Sequence, residues 1–486
     1  MTHWLARLAT HYTTMRCRYP DDELMVIFDI DGTLLDLRHM MLYLLRRYDR
    51  EHGTAYFREL TLDAIDVHEN VIDEFLTRLG LPAAARAEVE AWYLARYWSS
   101  ETIASSHYAF DGVMDVIRWF QLQPQTTVCL NTGRQEVLRA ATLESLNRLG
   151  QTQGVRFTND LLYMRPDDWE EGVAAYKLVG LEDCRRRGYR VVAFVDNEPN
   201  NLATIAAADP DREILLLHAD TIFLSPLTLL PEGVAQGDRY ALDALVTQAM
   251  LPPALELVWH GVNDEINLRQ FLSSTIRWAE LDVNLDPTGE QLILRHDTFA
   301  ERPCTEGESW LRLSDAVAAL AKWDKALKLD FKIGGLWIEQ ALTQVEHYAF
   351  PAERLWFNGD LRILDKSWQR TLAARYPGAV IQAPVGFLRQ WVDQPERLRT
   401  EVARLADDGL NRFSLNWRQA ETRRLSEQLL AWGYQVNLYG ITDLADFLQA
   451  TLQQPHAITC DFNFPAWGYY GRGSGHKDHY YRYQLL

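Results

Sequence analysis

Little in this chain would cross-link it or fix it in a membrane. Its five cysteines, Cys17, Cys129, Cys184, Cys304 and Cys460, are odd in number, scattered and never in CxxC spacing. That argues against a disulfide framework and against a thiolate zinc site. No apolar run approaches the roughly 20 residues needed to cross a bilayer. Met1 to Pro20 has neither the continuous apolar core nor the small-residue cleavage site of a signal peptide. The expectation is a cytoplasmic protein with no membrane span. Basic charge is scarce too. With a formal net charge of −18, the broad Lys/Arg surface that grips a nucleic-acid backbone is not expected. An anionic substrate would have to be drawn in locally, by metal ions and a few placed cations.

What is present is enough for two cores, since 486 residues exceed what one hydrophobic core usually organises. Leu24-Met25-Val26-Ile27-Phe28 is a short apolar run that reads as a buried parallel strand. It ends abruptly in Asp29-Ile30-Asp31-Gly32-Thr33, where open α/β sheets place their ligands. Alternation points Asp29 and Asp31 the same way, and two converging acids repel unless a cation lies between them. A second apolar strand, Thr127 to Leu130, runs into Asn131-Thr132-Gly133-Arg134 before a helix expected from about Gln135. Free amides at that helix start would suit a phosphate. A third strand, Val191 to Val195, is followed at once by Asp196-Asn197-Glu198-Pro199-Asn200-Asn201.

These segments, in this order, resemble the motifs of the haloacid dehalogenase superfamily. The resemblance implies a Rossmann-like parallel sheet and a magnesium-dependent phosphatase. It makes Asp29 the nucleophile and Asp31 the general acid, then base. Thr132 and Gly133 would hold phosphate oxygens, with Arg134 as an added contact. Lys177 is the candidate third-motif ammonium, and Arg165 in Met164-Arg165-Pro166 competes with it. Magnesium would be held by Asp29, the main-chain carbonyl of Asp31, and Asp196. Asn197, Glu198 and Asn200 stand where relatives place a further acid, so a second ligand there stays open. The insertion from about Asp36 to Ala109 is helical in period and resembles the helical cap of the family, which implies a small phosphomonoester. Met164-Arg165-Pro166, Lys177 and Asp196-Asn197 also resemble the phosphatase part of polynucleotide kinase-phosphatases, so nucleic-acid 3′ ends are an alternative substrate.

Residues 1–225 are read as this first domain, and 226–253, with Pro226, Pro231, Gly233, Gly237, Pro252 and Pro253, as a linker containing a short helix from Tyr240 to Met250. From 254 to 466 eight short apolar segments alternate with helical patterns: Leu257–His260, Ala279–Val283, Leu327–Phe331, Leu355–Asn358, Val380–Ala383, Phe413–Asn416, Val436–Tyr439 and Ile458–Asp461. Eight such units predict a (β/α)₈ barrel with its site at the carboxyl ends of the strands. His260-Gly261, Glu280-x-Asp282 and His296-Asp297 resemble glycerophosphodiester phosphodiesterases and related phospholipase C-like barrels. Leu329-Asp330-Phe331-Lys332 and Trp356-Phe357-Asn358-Gly359-Asp360 resemble the menorin branch. Two features depart from the main pattern: Gly261 follows the first histidine in place of arginine, and Asp330 stands for a glutamate. By this resemblance Glu280, Asp282 and Asp330 hold magnesium or calcium, His260 and His296 act as acid and base, and Lys332 contacts a phosphoryl oxygen. The barrel is either a diesterase or a binding module for a single phosphatase. The Gly- and Tyr-rich tail, 467–486, is expected to pack over neighbouring structure. No oligomeric state is specified by the pattern.

Overall fold

The computed structural model describes residues 3–221, 227–246, 250–304, 308, 310–463 and 468–469. Two compact units divide the chain, Met1–Thr247 and Gln248–Leu486. The expected aromatic tail lies outside the described residues apart from 468–469. No helix among the described residues is long and apolar enough to cross a membrane.

The first unit is built on six strands: β1 (Leu24–Phe28), β2 (Thr126–Gln135), β3 (Leu162–Arg165), β4 (Arg190–Asp196), β5 (Leu215–Ala219) and β6 (Ala235–Gly237). They are all parallel, in the order β3-β2-β1-β4-β5-β6. All five β1 side chains are fully buried, as a strand covered on both faces requires. The three strands bearing the acidic and hydroxyl motifs are therefore adjacent, and their carboxyl ends converge. The helix Val173–Arg186 lies close against β2. Asn131 Nδ2 donates to Lys177 O at 2.8 Å, and a Cβ at Gly180 would come within 2.5 Å of that same amide nitrogen. Glycine at 180 thus permits the approach that brings Lys177 over the strand ends.

Three expectations change. The helix forecast from Gln135 begins at Arg139, because β2 stays extended to Gln135, which pairs with Arg165 of β3 across a register shift. Thr132 and Gly133 therefore lie within a strand and not at a helix N-terminus. Residues read as linker are partly structural, since Ala235–Gly237 adds β6 to the sheet edge. The helix expected from Tyr240 to Met250 covers only Leu242–Leu245, and residues 247–249 lie outside the described residues. Tyr240 itself is buried and donates its hydroxyl to Thr33 O at 2.8 Å, bracing the loop after Asp31. Tyr240→Phe should leave that buried carbonyl without this donor and cost about 1–2 kcal/mol, read from chemical denaturation of the full chain.

Between β1 and β2 the insertion is wholly helical: Arg38–His52, Ile72–Arg78, Ala83–Tyr97 and Ser100–Ser106, with 3₁₀ turns at Leu62–Ala64 and Glu69–Val71.

In the second unit eight parallel strands close a barrel. They are β7 (Glu256–Trp259), β8 (Trp278–Leu285), then, past β9 (Leu292–Leu294), β10 (Ala326–Phe331), β11 (Leu355–Gly359), β12 (Val380–Pro384), β13 (Arg412–Asn416), β14 (Gln435–Ile441) and β15 (Ala457–Cys460). Closure runs β15–β7–β8–β10, while β9 pairs antiparallel with β8 outside the ring. All eight expected segments coincide with barrel strands. Register does the rest. β8 and β10 align Glu280 with Lys328 and Asp282 with Asp330, and β11 sets Asn358 beside Asp330. Residues two apart share a face, so acids and lysines face the interior side by side.

Candidate active sites

At the strand ends of the first unit, Lys177 is the hub. Its Nζ lies 2.7 Å from Asp29 Oδ1 and in direct contact with Asp196 Oδ2. Asp196 is further fixed through Oδ1, which accepts from Glu198 N at 2.8 Å and from Asn201 Nδ2 at 3.1 Å. Lys177, Asp29 and Asp196 are all buried. Arg165, the competing cation, borders the same cavity, but its Nε donates to Gly133 O at 3.2 Å. Of the two sequence candidates, Lys177 is the one held between the carboxylates.

Burial pushes the Asp29 carboxyl above its ordinary range; Lys177 opposes this, and Asp196 and Asp31 add to it. Lys177 is raised as well, because Asp196 and Asp29 outweigh the desolvation that would lower it. Burial leads for Asp29 and the two carboxylates lead for Lys177, and around both groups negative charge exceeds the single ammonium. A hard divalent cation fits such a donor set.

Asp31 receives a two-pronged contact from Arg134, Nε to Oδ2 at 2.7 Å and Nη2 to Oδ1 at 2.6 Å. Arg134, expected to face the phosphate, is thus engaged with the neighbouring acid. Its buried guanidinium is also held by Thr142 Oγ1 at 3.1 Å and His107 Nε2 at 3.0 Å, with the Trp98 ring 5.1 Å away. Burial first, then Arg134, pushes His107 down to about 2. It is therefore neutral, with Nε2 free to accept from Arg134 and Nδ1 lying 2.9 Å from Ser145 Oγ.

A cavity of about 460 Å³ opens over Asp29, Asp31 and Thr132. The helical insertion contributes His68, Glu69, Asn70 and Trp98 to its lining. None of the four was singled out from the sequence, where helical period alone does not say which insertion residues reach the site. Glu69 is buried, and desolvation, then Asp31, pushes it up to about 8.

In the barrel a second polar constellation forms. His260 follows β7, with Nδ1 2.6 Å from Asp461 Oδ1 and Nε2 3.4 Å from Glu280 Oε2. Glu280 Oε2 also accepts from Gly261 N at 2.9 Å, a contact the main chain supplies. Asn263 Nδ2 donates to Asp282 Oδ2 at 2.6 Å, and Asn358 Nδ2 donates to Asp330 Oδ1 at 2.8 Å. Lys332 Nζ sits between the two remaining oxygens, 3.0 Å from Asp282 Oδ1 and 2.7 Å from Asp330 Oδ2. The contact with Asp282 Oδ1 lacks hydrogen-bond geometry, so among the described residues this buried oxygen has no hydrogen bond. His296 is placed just beyond β9, where Arg295 N donates to Asp282 O at 2.8 Å, and its Nδ1 lies 2.5 Å from Asp297 Oδ1.

Burial works to raise Asp282, but Lys332, His296 and His260 hold it well below the carboxylate range. Lys332 is raised although burial opposes it, because Asp282, Asp330 and Glu280 surround it. One oxygen each from Glu280, Asp282 and Asp330 lies within 4.8 Å of the others, a spacing of hard donors that suits magnesium or calcium. His260, Glu280, His296, Asp330 and Lys332 border one cavity of about 210 Å³, and so does Lys328, absent from the sequence-derived set.

No family model and no curated protein matches this sequence. Solved structures similar to parts of it include both glycerophosphodiester phosphodiesterases and haloacid dehalogenase superfamily hydrolases. A phosphodiesterase of Oleispira antarctica, solved with sn-glycerol-3-phosphate, is 18% identical over 44% of this chain and 94% of its own, with a TM-score of 0.32. The Agrobacterium tumefaciens glycerophosphodiester phosphodiesterase is 13% identical over 42% of this chain and 96% of its own, TM-score 0.30. A HAD-superfamily hydrolase from Geobacter sulfurreducens is 16% identical over 46% of this chain and 96% of its own, TM-score 0.29.

Proposed function

We propose that the chain is a phosphoester hydrolase with two sites, a phosphomonoesterase in the first unit and a phosphodiesterase in the barrel. The observation that carries the first is the buried Asp29–Lys177–Asp196 cluster at adjacent strand ends, with Asp31 two residues on. Asp29 attacks phosphorus, the P–O bond to the alcohol breaks, and Asp31 gives the leaving oxygen its proton. Ionised Asp31 then takes a proton from water as that water attacks the aspartyl phosphate, releasing phosphate and restoring Asp29. Thr132 and Gly133 hold phosphoryl oxygens. Lys177 offsets the charge of the nucleophile and of the transferring group. Arg134 grips both oxygens of Asp31, which suits the ionised base of the second half-reaction; to deliver its proton in the first, Asp31 must turn one oxygen off the guanidinium toward the leaving group. Asp29, the Asp31 carbonyl and Asp196 would hold magnesium, which would supply charge neutralisation for the phosphoryl oxygens. The helical insertion bounds the cavity opposite Asp29 and limits it to small monoesters.

In the barrel, Glu280, Asp282 and Asp330 would hold magnesium or calcium, which supplies Lewis-acid polarisation of the phosphodiester. His260 and His296 serve as base and acid, and Lys332 contacts a phosphoryl oxygen. Glu280 and Asp330 line this cavity with Lys328 and Lys332, and a cation bound by the carboxylates would add the positive charge that draws in a diester anion. Asp461 acts as a positioning residue, holding His260 Nδ1 so that Nε2 faces the cavity. Asp461→Asn should lower diester turnover about 10- to 100-fold with little change in KM, and should shift the His260 limb of the pH–rate profile. An unaltered profile would remove Asp461 from the account.

Phosphate release from a panel of sugar phosphates, glycerol phosphates, nucleotides and 3′-phosphorylated oligonucleotides, run with glycerophosphodiesters and cyclic phosphates, tests both sites. Turnover should require added magnesium and stop with EDTA. An absence of both activities in the presence of magnesium and calcium would refute the proposal.

A further inference from the structure

Lys328 lies on β10, one inward-facing position deeper than Asp330. It is 2% exposed and borders the barrel cavity. Among the described residues its Nζ donates one hydrogen bond, to Thr459 Oγ1 at 3.1 Å. Thr459 in turn donates to Asn437 Oδ1 at 3.0 Å, which turns its oxygen lone pairs toward Lys328. Glu280 Oε1 is 3.7 Å away, an ion pair without a hydrogen bond, and the Trp356 ring centroid is 4.9 Å away. An ammonium has three N–H donors, and burying them unsatisfied is costly. Here one is met by a hydroxyl, while the others meet an aromatic face and a loose carboxylate. Lys332, by contrast, is gripped by both Asp282 and Asp330. Of these two lysines, Lys328 is the one with donors still to spend on a ligand.

The geometry points to Lys328 as an anion-binding residue at the floor of the barrel cavity, taking a phosphoryl oxygen of the substrate alongside the cation held by the three carboxylates. This rests on the reading of the barrel as a phosphodiester site. The competing role is a counter-ion for Glu280 that never touches substrate.

The two are separated by binding, without turnover. Equilibrium dialysis of inorganic phosphate against the full chain at saturating magnesium should give two equivalents, the barrel one identified by its loss in Asp282→Asn. Lys328→Met should weaken that equivalent at least about tenfold and leave the other unchanged, as expected for loss of a charge-assisted hydrogen bond. Lys328→Arg should retain it to within about threefold. Barrel affinity for Mn²⁺, read by electron paramagnetic resonance, should be unchanged or tighter in Lys328→Met, since a neighbouring cation has been removed. Thermal melting checks folding, and Lys328→Gln replaces Lys328→Met if the latter does not fold. Phosphate affinity unchanged in Lys328→Met would overturn the assignment. So would a fall in Mn²⁺ affinity in both Lys328→Met and Lys328→Arg that accounts for the phosphate loss. If the native chain binds no phosphate equivalent sensitive to Asp282→Asn, the phosphodiester reading itself fails, and the assignment with it.

Discussion

Asp29→Asn is expected to reduce phosphate release from every phosphomonoester by at least about 10⁴-fold, the scale on which removing a nucleophile acts. The amide matches the carboxylate in shape but cannot form the aspartyl phosphate. Its effect on stability should run the other way. Burial and the Asp196 and Asp31 charges raise the Asp29 carboxyl, so near neutral pH, without metal, ionising it costs the folded state free energy. The variant should therefore melt at or above the native temperature in EDTA. Loss of activity with unchanged or raised melting identifies a chemical defect, whereas loss with a lowered melting temperature would not. The same variant should leave diester cleavage untouched, because the barrel carries its own acids.

Asp282→Asn should have the largest effect in the barrel. Asp282 is buried, faces Lys332 across 3.0 Å, and offers an oxygen with no hydrogen bond among the described residues. The amide removes one of three anionic donors and leaves Lys332 with Asp330 as its nearest carboxylate. Divalent-cation affinity at the barrel should fall about 10- to 100-fold and diester turnover about 10²- to 10³-fold, with monoester turnover retained. Titration of the barrel with Mn²⁺ and parallel assays on a glycerophosphodiester and a phosphomonoester give both readings. Full diesterase activity in Asp282→Asn would show that the three carboxylates do not form the reactive centre.

Where the sequence was informative, local pattern and three-dimensional requirement coincided. The strands of both units are short apolar runs closed by polar residues, and parallel pairing buries them on both faces, so run length alone marks them. Glu280 and Asp282, and likewise Asp29 and Asp31, fall two apart, and alternation then sends each pair to one face. Long-range partnership left no such mark. Lys328 is a mid-strand lysine whose hydrogen-bond partner Thr459 lies 131 residues away on the last barrel strand, while Trp356 is its register partner on the adjacent β11. Asp461 stands at a strand end with the other polar residues, yet its partner His260 is 201 residues away in sequence, brought beside it only because β15 closes the ring onto β7. His68 and Glu69 occupy a short turn within a helical insertion, where periodicity reports a packed face but not a cavity wall. Lys177, the preferred third-motif candidate, and its competitor Arg165 differ in placement because the close approach of Gly180 to Asn131 sets the helix that carries Lys177 over the strand ends. The helix expected from about Gln135 starts later, at Arg139, because pairing with Arg165 holds the backbone extended through Gln135.

The proposal that both units hydrolyse phosphoesters, the barrel supplying a monoester to the first unit, is read in a single time course. ³¹P NMR of a glycerophosphodiester with magnesium and the native full chain should show the diester signal converting to inorganic phosphate. With Asp29→Asn it should stop at the phosphomonoester, which accumulates to one equivalent per diester consumed. Inorganic phosphate appearing at the native rate in Asp29→Asn would contradict the mechanism assigned to the first unit, and a diester signal unchanged in the native protein would contradict the second.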